Sequence, residues 1–296
     1  MSNLKAAFRS QDLSLTGELE LSPGMSAAEL LDQARILDEV TDSIHVPDHR
    51  HALPHMSNVA VAAHLLQNDI EPTVQLNCRD RNRIAIQSDL LGARSLGVKN
   101  FMLVRGAPLP ADHRPRSTSV FDMSAVDLLA TAAAIGEGRV LTGGQDIGDA
   151  GFYLGTAAAA FHPKDSWQPE KLLAKADAGA HFIQLQICMD VDLLRAYMAK
   201  LIEAKLTWRL QVMVSIAVLP SADVARKLRE VRPQTVIPRP LVKRLEGASD
   251  ARREGVLIAA ELLKELAEIP GISGANLSAP GDPAAIAEAI RESGLR

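Results

Sequence analysis

The chain has 296 residues, 47% of them hydrophobic, with 36 acidic against 32 basic side chains and a formal net charge of −4. A mildly acidic chain offers no basic field for nucleic acid or an anionic membrane, and 3% aromatic residues leave few stacking platforms for single strands. The two cysteines, Cys78 and Cys188, are far apart and lack C-x-x-C spacing, which points to a reducing compartment and argues against a thiolate zinc site. The N-terminal MSNLKAAFRSQDLSLTG has no apolar run of signal-peptide length, and no stretch approaches a membrane span. A soluble, cytoplasmic protein is expected.

Strand-like runs alternate with helical patterns along the whole chain. LSLTGELEL (13–21) reads as a strand, and the helix after it starts at Ser26, with Glu29 three residues on as a capping box. DSIHV (42–46) precedes SNVAVAAHLLQN, EPTVQLNC (71–78) precedes RIAIQSDLLGARSLG, and NFMLVRG (100–106) leads through a long loop to SAVDLLATAAAIG. FYLGTAAAA (152–160) precedes PEKLLAKADAG, and HFIQLQIC (181–188) precedes VDLLRAYMAKLIEAK. WRLQVMVSIAV (208–218) is paired with SADVARKLREV; after an extra helical segment, GISGANLS (271–278) precedes DPAAIAEAIRES.

These are eight βα units with no linker-like break, which predicts an α/β fold: one (β/α)₈ TIM barrel over 1–296. The open-sheet alternative gains nothing from nucleotide loops, because neither GxGxxG nor GxxxxGK[ST] occurs. A barrel gathers its functional groups at the C-terminal ends of its strands. The polar residues there are Glu20, His45, Asp48, Gln75, Asn77, Arg105, His162, Gln186 and Asn276.

In LSLTGELEL, Leu13, Leu15, Leu19 and Leu21 share one face and Glu18 and Glu20 the other, so the glutamates are expected to point into the lumen. A carboxyl in an enclosed cavity suits a general acid; a glutamate in water, or one paired with Arg105, is the competing reading. Arg105–Gly106 can face an anionic ligand or neutralise a lumen glutamate. Arg79, Arg81 and Arg83 read as a solvated helix start more readily than as a ligand clamp. Gln184 and Gln186 alternate with Leu185 and Ile187, which puts an amide in an apolar strand, suited either to a heterocycle such as a pterin or to neighbouring loops. HVPDHRHALPH (45–55) resembles a metal cluster, but Pro47 and Pro54 break any helical His spacing and the other strand ends offer few ligands. No metal is expected. Of its members, His45 and Asp48 are expected to face a ligand, and His49, His51 and His55 to lie at the rim or surface.

Taken together, DSIHVPDHRHALPHMSNVAVA, TVQLNCRDRNRIAIQSDLLGARSLGVKNFMLVRGAP, STSVFDMSAVDLL, GTAAAAFHPK, KADAGAHFIQLQICMDVDLL and EGVLIAAELLKEL resemble the methylenetetrahydrofolate reductase family, in family order across nearly the whole chain. The nearest likeness is to the reductase half of bifunctional homocysteine-methylating proteins. The resemblance implies a barrel that holds FAD over its C-terminal face. Hydride from NADH or NADPH passes through the flavin to 5,10-methylenetetrahydrofolate, giving 5-methyltetrahydrofolate. It implies Glu20 as the general acid, Gln186 as a folate-binding residue, and Arg226 near a substrate contact. His45, Gln75, Arg105, Gly106, His162 and Lys175 fall where the family contacts its flavin; with Asp48 they make up the expected cofactor wall. An assembly of identical chains is also expected.

The chain departs from the family pattern at several positions. It reads Arg105–Gly106–Ala107 where members usually read RGD or TGD, and Gln75 where a histidine is common. Leu21 and Ser22 replace phenylalanines, and NLSAPGDP has no match for an arginine after the last strand. These changes fall more on the flavin site than on the pterin site. They leave room for a flavin-independent reductase with direct hydride transfer, or for a non-catalytic folate-binding barrel.

Overall fold

Eight parallel strands close into a ring in chain order: β1 (Ser14–Glu18), β2 (Ser43–Val46), β3 (Pro72–Asn77), β4 (Asn100–Val104), β5 (Tyr153–Ala158), β6 (Phe182–Leu185), β7 (Gln211–Ala217) and β8 (Ile272–Ser278). The structure is a computed structural model and describes residues 2–10, 12–49, 52–141 and 143–296. The seam between the first and last strands runs from Ser14 opposite Gly274 to Gly17 opposite Leu277. The fold is the expected (β/α)₈ barrel.

Helices cover the outside of the ring: α2 (Ala27–Asp38), α3 (Asn58–Leu66), α4 (Arg83–Leu96), α5 (Ala125–Gly136), α6 (Glu170–Asp177) and α7 (Val191–Glu203). The capping box at α2 forms as expected, with Ser26 and Glu29 exchanging both bonds. Leu13, Leu15 and Leu19 join the main core between strands and helices, while Leu21 is partly buried against it. That outer core is the bulk of the apolar burial that holds the barrel together.

Two features were not legible in the pattern. The helix that completes the seventh unit is α10 (Ala251–Ala267), which packs on α7, β8 and α11 (Pro283–Ser293). The segment SADVARKLREV, expected in that role, is α8 (Ala222–Val231); with α9 (Arg239–Gly247) it forms an insertion after β7. Its sparse apolar stripe explains this: only Ala222, Ala225 and Leu228 of α8 are buried, too little to cover a strand pair. The second feature is α1 (Asn3–Ala7). Its Leu4, with Phe8 just beyond, joins Met102, Tyr153, Phe182 and Met213 in a separate apolar cluster that floors the lumen at the N-terminal end of the strands.

Above that floor the lumen turns polar. Thr16 donates to Asn276 at 2.7 Å, Ser43 and Thr73 share a hydrogen bond at 2.8 Å, and Gln184 donates to Ser215 at 3.0 Å. Alternation along each strand brings these side chains inward, and each meets a partner from a neighbouring strand, as buried polar groups require. The lumen is therefore closed below and hydrogen-bonding above, and a ligand has one end at which to enter.

Candidate active site at the C-terminal mouth

β2 and β3 supply the innermost wall. His45 is 2% exposed, and its Nε2 lies 3.1 Å from Gln75 Oε1. An amide oxygen only accepts, so Nε2 carries the proton and Nδ1 is left as an acceptor. Burial pushes the imidazole down to about 4; the bond to Gln75 opposes this and the positive charge of Arg232 reinforces it. His45 is thus neutral at physiological pH, and the NH₂ group of Gln75 remains able to donate.

Asp48, three residues further on, is spent on the protein. Its carboxylate accepts both Nη atoms of Arg81 at 2.8 and 2.9 Å, and the backbone and side-chain N–H groups of Asn77 at 2.8 and 2.6 Å. His49 Nδ1 adds a second cationic neighbour at 3.1 Å, and the Asp48 side chain is 0% exposed. Burial opposes its charge, but Arg81 and His49 outweigh burial and hold the carboxyl below its ordinary range. Asp48 can therefore act on a ligand only by positioning its neighbours. His51 lies outside the described residues. His49 and His55 are half-buried and stack at 4.6 Å; the His49 N–H bonds His55 Nε2, so His55 donates from Nδ1 to Met56 O.

The arginines of CRDRN are not a solvated helix start. Arg79 lies inside, forked onto Asp80 at 2.6 and 2.8 Å with one Nη on His49 O, and Arg81 joins Asp48 to Asp89. The reason is the charge pattern: Asp48, Asp80 and Asp89 converge beneath the loop, and two guanidiniums match them. Arg83 reaches Thr131, and its backbone N–H bonds Asp122.

β4 ends at an exposed guanidinium. Arg105 lies 4.2 Å over the ring of Phe121 and forms no ion pair among the described residues. Gly106, at φ +85°, turns the chain there, and a Cβ at this position would meet Asn77 and Arg79 at 3.2–3.3 Å. Only glycine satisfies both the backbone angle and the close approach. Ala107 presents no polar side chain.

The remaining predicted residues are spread around the mouth. Gln186 stands just past β6, its N–H bonded to Ala158 O at 2.8 Å and its side chain half-exposed. Glu18 ends β1 in register with His45 and is half-buried. Glu20 is exposed at the rim; its Oε2 accepts the Gly281 N–H at 2.7 Å, which leaves Oε1 for a ligand. His162 is exposed on the loop after β5. Lys175 sits on α6 with its Nζ on Ala157 O, its pKa lowered by burial and by Lys171. Arg226 lies on the exposed side of α8, paired with Asp223 and Glu246. His45, Gln75, Arg105, Gly106, Gln186 and Glu20 thus ring the mouth, whereas Asp48, Lys175 and Arg226 are engaged by protein groups. Among the described residues no cluster of three His, Cys, Asp or Glu side chains is arranged to hold a metal ion, and no helix is long and apolar enough to cross a membrane.

One mouth residue carried no signal in the sequence. Arg232 follows α8 in VRPQTVIP, a stretch readable only as part of an extra helical segment. It is half-buried, and burial lowers its pKa.

The chain was compared with known proteins. No curated protein sequence matches it. A solved structure entitled "Uncharacterized protein from Clostridium thermocellum binds two copies of 5-methyl-5,6,7,8-tetrahydrofolic acid" is similar at TM-score 0.69 and 13% identity, over 99% of this chain and 100% of that one. DmoA from Hyphomicrobium sulfonivorans is similar at TM-score 0.56 and 10% identity, over 95% and 86%. An oxaloacetate acetylhydrolase, solved with 3,3-difluorooxalacetate, reaches TM-score 0.50 at 11% identity, over 93% and 80%. At such identities these likenesses speak for the barrel alone. The family model described as methylenetetrahydrofolate reductase matches residues 24–278, from just after the Glu20 strand exit to the last residue of β8. With most of its length so matched, the chain belongs to the methylenetetrahydrofolate reductase family.

Proposed function

We propose that this protein reduces 5,10-methylenetetrahydrofolate to 5-methyltetrahydrofolate with electrons from NADH or NADPH. The observation that carries the reading is the chemistry of the mouth. Neutral donors and acceptors line it: His45 Nδ1, the Gln75 NH₂ and the Gln186 amide, with the Glu20 carboxylate at the rim. A pterin edge, with alternating N–H groups and acceptors, matches these groups. The family match supports the substrate class. The Clostridium thermocellum structure, whose title reports bound 5-methyltetrahydrofolate, supports it by likeness.

In this reading Gln186 orients the pterin, and Glu20 delivers the proton that opens the imidazolidine ring to the reactive iminium. Gly281 holds Oε2 of Glu20, so Oε1 has a defined place from which to act. Glu18 lies one step deeper on the same strand, in register with His45. The closed floor confines the folate ring to the mouth.

The family implies FAD, and the mouth fits it in its donors. The exposed Arg105 guanidinium, without an ion pair among the described residues, suits phosphate or a ring carbonyl, and Gly106, Gln75 and His45 would hold the rest, with His162 on the outer loop. When bound, FAD supplies hydride relay between nicotinamide and folate. Ala107, where a carboxylate is usual, favours a second reading in which hydride passes directly from nicotinamide to the folate.

The experiment is an absorbance spectrum of the purified protein, followed by titration with 5-methyltetrahydrofolate. Flavin absorbance with saturable folate binding is the expected result. A colourless protein that binds folate selects the flavin-free reading, and absence of folate binding contradicts both.

A further inference from the structure

The stretch after α8 is pinned across the mouth. Val236 donates its N–H to Ile187 O and accepts the N–H of Met189, both at 2.9 Å, in a short parallel bridge to the continuation of β6. Thr235 N–H bonds back to Arg232 O at 2.9 Å, and Arg232 N–H bonds Leu228 O at 3.0 Å. The backbone of Arg232 is therefore fixed from both sides, and so is the point from which its side chain extends.

Among the described residues its guanidinium has no match. Arg79 and Arg81, the other shielded arginines of the mouth, are each forked onto carboxylates. Among the described residues no carboxylate, carbonyl or ring meets the Arg232 guanidinium. A guanidinium does not shed its proton in a protein, so shielding it from water without a counter-charge is costly. Three residues on, Thr235 is 8% exposed, and its hydroxyl meets no partner among the described residues.

The place of the side chain follows from the ring. β6, beside which the strap is pinned, lies opposite β2 in a closed ring of eight. The charge of Arg232 nevertheless acts on His45 of β2. The half-buried side chain therefore sits at the mouth, within electrostatic reach of His45.

We propose that Arg232, with the Thr235 hydroxyl, is the oxyanion receptor of the mouth and takes a carboxylate or phosphate oxygen of the bound ligand. The inference rests on the folate reading above, which offers two sources: the glutamyl carboxylates of the folate, or the pyrophosphate of the nicotinamide dinucleotide. A planar fork of N–H donors suits either oxyanion.

The test is calorimetric titration of the full chain and of Arg232→Met and Arg232→Lys. The ligands are 5-methyltetrahydrofolate, the corresponding pteroate without glutamate, and NADH. Arg232→Met is expected to weaken 5-methyltetrahydrofolate or NADH by on the order of 30-fold or more, with partial recovery in Arg232→Lys. A loss with the glutamyl folate that is absent with the pteroate assigns the carboxylate, and a loss with NADH assigns the phosphate. The melting temperature of Arg232→Met should equal or exceed that of the unaltered chain, because the variant removes an unmatched charge. Unchanged affinity for every ligand that the unaltered chain binds, or a lowered melting temperature, overturns the role of Arg232 and leaves the folate reading standing. An unaltered chain that binds none of the three overturns the folate reading, and this proposal with it.

Discussion

Glu20 Oε2 accepts the backbone N–H of Gly281 at 2.7 Å, which ties the exit of the first strand to the loop after the last. The bond bridges the seam of the barrel and restrains a carboxylate that would otherwise wander at the rim. Glu20→Gln preserves an acceptor for Gly281 but cannot deliver a proton. Folate turnover is expected to fall by about a hundredfold, a typical loss for a general acid, with 5-methyltetrahydrofolate affinity changed only a few-fold. Parallel kinetics and titrations of Glu20→Gln and Glu18→Gln check this. Equal loss of binding and turnover in Glu20→Gln would make its role structural, and a larger turnover loss in Glu18→Gln would move the acid one step inward.

The Asp48 carboxylate and the Arg81 guanidinium form a buried pair whose members depend on each other. Asp48→Ala leaves the shielded Arg81 with Asp89 as its one remaining counter-charge among the described residues, and removes the acceptor of two Asn77 N–H groups. A loss of about 3–5 kcal/mol is expected in urea denaturation. A shift of the midpoint within error would show that water reaches the pair.

His45 of β2 and His49 of the loop that follows impose opposite pH limits. Bonds to Asp48 and then Asp80 raise the His49 pKa from 6.5 to about 9, against burial, with Arg81 also nearby. Its folded pKa lies above its unfolded one, so its contribution is fully present below about 6.5 and is lost as pH rises through about 9. Burial lowers the His45 pKa from 6.5 to about 4, so its contribution is present above about 6.5 and is lost as pH falls through about 4. Stability measured by denaturation against pH should decline on both sides of a near-neutral maximum. His49→Gln should flatten the alkaline limb and His45→Gln the acid limb. An alkaline limb that His49→Gln leaves unchanged would contradict the assignment.

Gly255 on α10 lets the helix touch the outlet of β7. A Cβ there would stand 1.9 Å from the carbonyl oxygen of Leu219, and backbone cannot yield as a flexible side chain can. Gly255→Ala is expected to cost about 3 kcal/mol by overpacking, and to loosen the outlet from which α8 and Arg232 follow. Urea denaturation reads the first effect and ligand titration the second. Stability equal to that of the unaltered chain would contradict the close packing.

The barrel was legible because alternation and helical periodicity repeat eight times, and Leu13, Leu15 and Leu19 mark one face whatever the partner. His45, Gln75 and Gln186 were legible as inward polar positions at strand ends. Asp48 looked like a ligand group in sequence; only the fold reveals that Arg81, Asn77 and His49 converge on it from 29 or more residues away, or from next door. Arg232 was not legible because its meaning lies in having no partner among the described residues, which is a property of the assembled mouth. The roles of α8 and α10 were confused because both are amphipathic, and local pattern does not say which one faces the strands.

The most direct test of the central claim is oxidation of NADH or NADPH by the purified chain, assayed with and without 5,10-methylenetetrahydrofolate while the folate product is quantified. The account predicts oxidation that depends on the folate and yields one 5-methyltetrahydrofolate per nicotinamide consumed. A chain that binds 5-methyltetrahydrofolate yet oxidises neither nicotinamide, with FAD added or withheld, would contradict it and mark the protein as a folate-binding barrel without the reductase chemistry.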